Sequence, residues 1–282
     1  MGWHATADAE VYAERAGSFL RSRPVEHTVP LTVTEVLRAR RPEASGPAAP
    51  LLGWWEGRDG AVAGAFVLTP PHPLLLTGMP EEAVAELPGL IAESGRPLPA
   101  VNAAAAAASA FAAAWTERTG LRAVPRRGLR LHRLAQLVAP EPPPAGRARV
   151  AGPDDRPLLV AWYEAFGREV HEPDLAVGPQ VDDRLTFGGL VLWEHDGATV
   201  SLAGNTRQVA GAVRIAPVYT PPEHRGRGFA AGATAAAARA ALDGGAGEVL
   251  LYTDVDNPTT NRLYARLGFV PVEERVVVAF EP

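Results

Sequence analysis

The run Pro140-Glu141-Pro142-Pro143-Pro144-Ala145-Gly146 sets the first limit on what this chain can fold into. Successive prolines fix φ and remove backbone donors, so the segment continues neither a helix nor a central strand and favours an extended spacer. It lies near the middle of 282 residues, close to the length at which single cores stop growing, about 250 to 300 residues. The reading is two domains, 1–139 and 150–282, joined by a Pro-rich linker at 140–149.

Both sides of the break carry the same succession of signals. Trp55-Glu56-Gly57-Arg58-Asp59-Gly60 resembles Trp193-Glu194-His195-Asp196-Gly197, and Thr69-Pro70-Pro71-His72 resembles Thr220-Pro221-Pro222-Glu223-His224. In each half an Asp-Gly turn separates strand-like runs; an Ala-rich helical stretch, a short strand ending at an Asn, a second helix and a final strand follow. These fall at 81–93, 98–102, 103–118 and 128–134 in the first half, and at 229–242, 248–253, 258–267 and 275–280 in the second. Strands alternating with helices predict an α/β (α+β) sheet covered by helices, present twice.

Composition narrows the chemistry. Neither cysteine nor lysine occurs, so all 27 basic side chains are arginine. Their absence excludes a disulfide framework, a thiolate nucleophile, a Cys-ligated zinc site, a Schiff base and a GK[ST] phosphate loop. The net charge of −5 falls wholly on residues 146–282, and an acidic total argues against nucleic acid as a partner. The most basic stretch, Arg118 to Arg133, has no interleaved aromatic side chain and reads as a solvated helix end and strand. Asp8 and Glu10 stand where a signal peptide needs an apolar core, so a cytoplasmic location is expected. The uncharged run 97–116 has the length of a membrane span, but it is mostly alanine with two prolines, Asn102 and Ser109; it reads as an Ala-rich helix, and no membrane is expected as a partner.

The segment that carries chemistry is 209–230. An apolar strand turns at Pro221-Pro222, passes through Arg225-Gly226-Arg227-Gly228 and runs directly into a helix. Strand, glycine-rich turn and helix N-terminus make an anion site: the glycines admit close approach, the amides point into the turn, and the helix dipole faces the ligand. A pyrophosphate fits this description, although the loop is neither a Walker A loop nor a GxGxxG fingerprint.

Here the sequence resembles the GCN5-related N-acetyltransferase superfamily. Its acyl-CoA signature, Gln/Arg-x-x-Gly-x-Gly/Ala, is met by Arg225, Gly228 and Ala230. A second match follows in the family's order: Asn257, then Tyr264, then Gly268-Phe269 fit its Asn-(x)6-Tyr-(x)3-Gly-Phe element. The resemblance covers the second half; the first half has no Arg-Gly-x-Gly after Thr69-Pro70-Pro71-His72-Pro73 and no matching tyrosine after Asn102, so it reads as a degenerate copy that binds no pyrophosphate. The fold implied is two tandem domains, each a mixed, mostly antiparallel central sheet flanked by helices.

The resemblance also implies roles. The amides of Arg225, Gly226, Arg227, Gly228, Phe229 and Ala230 receive the pyrophosphate of acetyl-CoA, and the two arginine side chains suit its phosphates. The strand before the loop parts from its neighbour, so the backbone of Val218, Tyr219 and Thr220 contacts pantetheine, with an N–H near Val218 polarising the thioester carbonyl. Tyr264 protonates the departing thiolate: a phenol of pKa about 10 holds its proton until a thiolate of pKa about 8.5 appears. Asn257 caps the following helix and, with Asn261, lies near the CoA arm. The strand 209–219 offers no carboxylate as general base; Glu194, His195, Glu169, His171 and a water chain are the candidates. Acetyl transfer needs no metal, and Asp254-Val255-Asp256 reads as an acidic strand end.

These implications describe an N-acetyltransferase acting directly on a primary amine, because no cysteine exists to carry an acyl intermediate. The acceptor is a small-molecule or peptide amine whose identity, like the oligomeric state, is not written in the sequence. Alternatives are mycothiol-synthase-like transfer to a sugar-linked amine and a non-catalytic acyl-CoA sensor or scaffold.

Overall fold

The computed structural model describes residues 1–40, 49–171 and 177–282. One order of elements occurs twice. The first run is β1 (Gly2–Thr6), α1 (Ala9–Arg21), α2 (Thr28–Arg40), β2 (Leu51–Glu56), β3 (Val62–Leu68), β4 (Leu74–Leu76), α3 (Glu81–Glu93), β5 (Ala100–Ala103), α4 (Ala105–Thr119) and β6 (Arg122–Leu134). The second is β7 (Arg147–Val150), α5 (Arg156–Glu169), α6 (Val177–Thr186), β8 (Leu190–His195), β9 (Ala198–Asn205), β10 (Ala212–Tyr219), α7 (Phe229–Asp243), β11 (Glu248–Asp254), α8 (Pro258–Arg266) and β12 (Phe269–Glu281). The duplication read from the sequence is present element for element. The Asp-Gly signals also sit where expected, turning β2 into β3 at Gly60 and β8 into β9 at Gly197, both at φ +76°. Among the described residues no helix is long and apolar enough to cross a membrane; the run at 97–116 divides into β5 and the start of α4.

Compact units cut across the linear halves. One comprises Met1–Leu131, Asp254–Asp256 and Val272–Pro282, the other His132–Thr253 and Asn257–Pro271. In the first, the strand order is β1-β2-β3-β4-β5-β12-β6. The chain's last strand therefore pairs with the first half, antiparallel to β5, with Val276 opposite Ala103 and Val278 opposite Val101. Phe280 completes an aromatic group with Phe111 and Trp115 of α4, at centroid distances of 6.3 and 6.0 Å. An apolar run such as Val276-Val277-Val278 announces a buried strand and says nothing of its neighbour, which is why the linear reading kept it in the second half.

The second unit orders its strands β11-β10-β9-β8-β7, parallel at β10–β11 and antiparallel at the other pairs. Alternate residues feed two cores. Leu190, Leu192, Leu202 and Tyr219 pack with Leu159, Trp162, Tyr163 and Val181 of α5 and α6. Val191, Ala203, Val213 and Ile215 pack on the other face with Ala233, Ala237, Ala238 and Ala241 of α7 and with Tyr264 and Leu267. Burial on both faces explains the near-continuous apolar reading of these strands. Alanines give α7 strong helix propensity and let it lie close to the sheet; Asn205 Nδ2 of β9 donates to the Ala237 carbonyl at 2.9 Å.

Arg275 holds β12 in place. Its side chain is 4% exposed, donating from Nε to Asn102 Oδ1 at 2.9 Å and from Nη2 to the carbonyls of Leu76 and Asn102 at 2.6 and 2.9 Å. Glu273 lies 3.2 Å away and balances the charge. Arg275→Met keeps most of the volume but leaves those acceptors without donors, so chemical denaturation should show a loss of about 3 kcal/mol.

Candidate active site

The site begins where two strands part. β10 and β11 pair in parallel only at Ala212–Glu248, Val213–Val249 and Arg214–Leu250. Beyond Arg214, residues 215–219 have no ladder partner on that side among the described residues. On the other side β10 stays attached to β9, with Val218 opposite Ala203 and Tyr219 opposite Leu202, but the register shifts between Ile215 and Val218. Pro217 sits inside this bulge; having no N–H, it cannot complete a regular ladder. Ser201, fully buried on β9, fixes the strand's end: its Oγ donates to the Tyr219 carbonyl at 3.1 Å and lies 2.8 Å from Thr220 Oγ1.

A 3-10 turn at Pro222–His224 then leads to Gly226 at φ +76° and Gly228 at φ +80°. A Cβ at Gly226 would meet no atom within 4 Å, and one at Gly228 only Pro144 at 3.5 Å. These glycines are thus dictated by left-handed backbone, not by crowding. Gly228 is the N-cap of α7; no side chain caps the helix and no acidic residue occupies its first turn. The first-turn amides, from Phe229 and Ala230 onward, have the helix dipole behind them, an arrangement that suits an anion.

The loop's two arginines do different work. Arg225 donates from Nε to the Thr220 carbonyl at 2.8 Å and from Nη2 to both carboxylate oxygens of Glu169 at 2.6 and 2.9 Å, bracing the turn against α5. Arg227 stacks over the Phe229 ring at 4.8 Å and donates to His195 Nε2 at 2.8 Å, leaving it exposed beside the helix start.

On the other strand, Asn257 is the N-cap of α8, its Oδ1 accepting from the amides of Thr259 and Thr260 at 3.2 and 3.1 Å. Asn261, half-buried, is engaged by the protein's own groups: Oδ1 accepts from Thr253 Oγ1 at 2.7 Å and Nδ2 donates to the Asn257 carbonyl at 2.8 Å. His132 Nε2 meets the same Thr253 hydroxyl at 3.0 Å. Tyr264, one turn farther along α8, is buried and stands edge-on to Phe269 at 6.0 Å. Its hydroxyl has no hydrogen-bond partner among the described residues, and burial raises its pKa above the ordinary phenol value. Such a group keeps its proton at neutral pH.

Three of the four side chains considered as bases are already engaged. Glu169 pairs with Arg225, Glu194 with Arg149 and Arg147 at 2.6 and 3.3 Å, and His195 with Arg227. The hydrogen bond from Arg149 holds the Glu194 carboxyl below its usual pKa, away from the near-neutral value that suits a base. His171 follows α5 at φ +52°.

The first half reaches the equivalent position differently from the sequence echo. Thr69-Pro70-Pro71-His72 connects β3 to β4, whereas the counterpart of the loop between β10 and α7 is 77–80, between β4 and α3. It has four residues, and α3 opens with Glu81 and Glu82. Two carboxylates at a helix N-terminus take the place an anion would use. The copy is degenerate at the site for a clearer reason than the missing Arg-Gly-x-Gly.

Residues 157–269 match the model of the acetyltransferase (GNAT) family. Solved structures similar to this chain include a GCN5-related N-acetyltransferase from Sphaerobacter thermophilus, 21% identical over 98% of this chain and 94% of that one, with a TM-score of 0.66. A GCN5-related N-acetyltransferase from Kribbella flavida is 23% identical over 92% and 95%, with a TM-score of 0.58. A tandem GNAT protein from the clavulanic acid biosynthesis pathway is 16% identical over 99% and 98%, with a TM-score of 0.57. No curated protein matches the sequence. The structural likenesses speak for the fold over nearly the whole chain, and the family match falls on the half that holds the parted strands and the glycine turn. Residues 157–269 thus match the acetyltransferase (GNAT) family, and nearly the whole chain has the fold of GNAT proteins, a tandem GNAT protein among them.

Proposed function

We propose that this protein transfers the acetyl group of acetyl-CoA directly to a primary amine at the site formed by residues 215–230 and Tyr264. One observation carries the reading: the unpaired edge of β10 leads through two left-handed glycines into the uncapped N-terminus of α7. That sequence of features offers hydrogen bonds to an extended amide-bearing arm and then to a pyrophosphate, which matches coenzyme A from end to end.

Acetyl-CoA supplies an acetyl group already activated as a thioester. The amides of residues 225–230 hold the pyrophosphate, with Arg227 adding a charge-assisted contact while Arg225, bound to Glu169, keeps the turn in shape. The backbone of Val218, Tyr219 and Thr220 pairs with the pantetheine arm as an added strand, and an N–H near Val218 donates to the carbonyl oxygen on which charge develops. As the new N–C bond forms and the C–S bond breaks, Tyr264 Oη gives its proton to the sulfur; the amine nitrogen loses one proton to solvent, from which Tyr264 is reprotonated. Without cysteine there is no thiol to carry the acetyl group, and transfer occurs within one complex. Residues 1–139 and 150–282 are the two copies, the second carrying the chemistry.

Acetyl-CoA should raise the melting temperature of the wild type and leave Gly228→Glu unmoved, because the added carboxylate takes the anion site. Tyr264→Phe should keep that thermal shift while kcat, followed as CoA release over a panel of amines, falls about 10²-fold. An acetyl-CoA shift without turnover of any amine makes the chain a binder only; no shift at all ends the reading. Asn257→Ala should cost about 1 kcal/mol of stability for the lost cap and leave acetyl-CoA affinity unchanged, a fall in affinity marking it as a ligand contact.

A further inference from the structure

Arg184, in the last turn of α6, is a half-buried cation with no ion pair among the described residues. Its acidic neighbours are committed elsewhere: Asp182 to Arg156 at 2.6 and 2.9 Å, and Asp183 to Arg207 at 2.9 Å. Arg184 instead lies over the Tyr163 ring, 5.4 Å from its centroid, and donates from Nη1 to the Tyr163 hydroxyl. That bond uses one of the guanidinium's five N–H groups, and the Tyr163 hydroxyl, buried and with its pKa raised by burial, still has its own proton to give. The two side chains form a cluster of donors with no carboxylate beside it among the described residues.

The position of the cluster matters. A Cβ built on Gly204 would lie 3.0 Å from Tyr163 Oη, 3.1 Å from Arg184 Nη1 and 3.1 Å from the Ala216 carbonyl. Ala216 belongs to the β10 bulge, two residues before Val218. Glycine at 204 therefore makes room for the cation beside the stretch of strand assigned to the thioester. Leu202, two residues back along β9, packs with α5 and α6, while Tyr264 packs with α7 and α8 on the opposite face. The cluster thus faces away from the acid that serves the leaving group, on the side from which an amine can attack.

Resting on the acetyl-transfer reading, we propose that Arg184 and Tyr163 dock a carboxylate of the acceptor, so that the acceptor is an amino-acid-like molecule carrying a carboxylate as well as the reacting amine. A planar guanidinium with a hydroxyl beside it suits a carboxylate better than a neutral or cationic group. Arg184 is a specificity residue in this assignment.

The test measures CoA release at saturating acetyl-CoA with matched pairs: alanine against ethylamine, phenylalanine against phenethylamine, lysine against 1,5-diaminopentane. In the pairs turned over, the carboxylate member should lead by at least about tenfold in kcat/KM, and Arg184→Met should remove that lead through KM, about 10- to 100-fold, with Arg184→Lys restoring part of it. Equal or reversed preference in the wild type overturns the proposal, and that comparison does not depend on a variant folding. If no pair is turned over, CoA-loaded protein titrated with N-acetylated amino acids and N-acetylated amines decides: tighter binding of the acids, lost in Arg184→Met, supports it, and equal or absent binding overturns it. An acetyl-CoA thermal shift in the wild type separates the outcomes, because its absence sinks the acetyl-transfer reading as well, whereas its presence confines failure to the acceptor.

Discussion

The ladder between β10 and β11 ends at Arg214, and a strand edge released in this way has amides and carbonyls that need other partners. β10 is an interior strand of its sheet, so the released edge does not simply turn to bulk water. Each backbone group left unpaired in such a place costs about 1 to 3 kcal/mol, which a ligand rich in amide groups returns on binding. The parting is one-sided by construction. Ser201 ties the end of β10 to β9, the bulge with Pro217 bends the strand, and Arg225 fastens the following turn to α5 through Glu169. Three interactions thus hold open a gap that regular pairing would close.

What could be read from the sequence follows the range of the interactions involved. The glycine turn, the cap at Asn257 and the repeated order of elements are local: a left-handed φ at Gly226 and Gly228, or a side chain bonding to amides two and three residues ahead, is fixed by a few neighbouring residues. The placement of β12 beside β5 was not legible, because Val276 to Val278 satisfy any buried slot equally well, and Arg275 finds Asn102 across 173 positions of sequence. Ser201 was invisible for the same reason; a lone serine in a strand gives no sign that it binds a carbonyl 18 residues away. The echo of Thr-Pro-Pro misled in a different way, since two proline turns of like sequence connect different pairs of strands in the two halves. Counting elements from each half's first strand, instead of matching dipeptides, would have placed the first half's counterpart at 77–80.

A chain without lysine must do all its cationic work with arginine, and the second half shows how the work is divided. Arg149, Arg156, Arg207 and Arg225 are each bound to carboxylates and serve as struts. Glu169 and Glu194, which looked like candidate bases in the sequence, are the partners of two of these arginines, so one set of ion pairs accounts for both groups. Arg227 and Arg184 are left with uncharged or aromatic partners, His195 and Phe229 for one and Tyr163 for the other. Arginine tolerates such a setting because its weakly hydrated, planar charge stacks on rings.

If acetyl-CoA lies along the parted strands as proposed, these two arginines stand at the two ends of the chemistry. Near Arg227 the helix start and turn amides concentrate positive potential where a pyrophosphate would lie. Arg184 is across the sheet from Tyr264, next to the bulge, where Gly204 gives up its side chain to admit it. A half-buried guanidinium serving packing alone would be a poor choice in that position, since a neutral residue of similar volume fills space without the cost of partly desolvating a charge. Asp182 and Asp183 precede it on α6, where adjacent positions face different ways, and both are bound to arginines on other elements. Retaining the charge with no counter-charge beside it among the described residues is understandable if the missing carboxylate arrives with the substrate, and the same placement then holds the amine on one face of the thioester carbonyl.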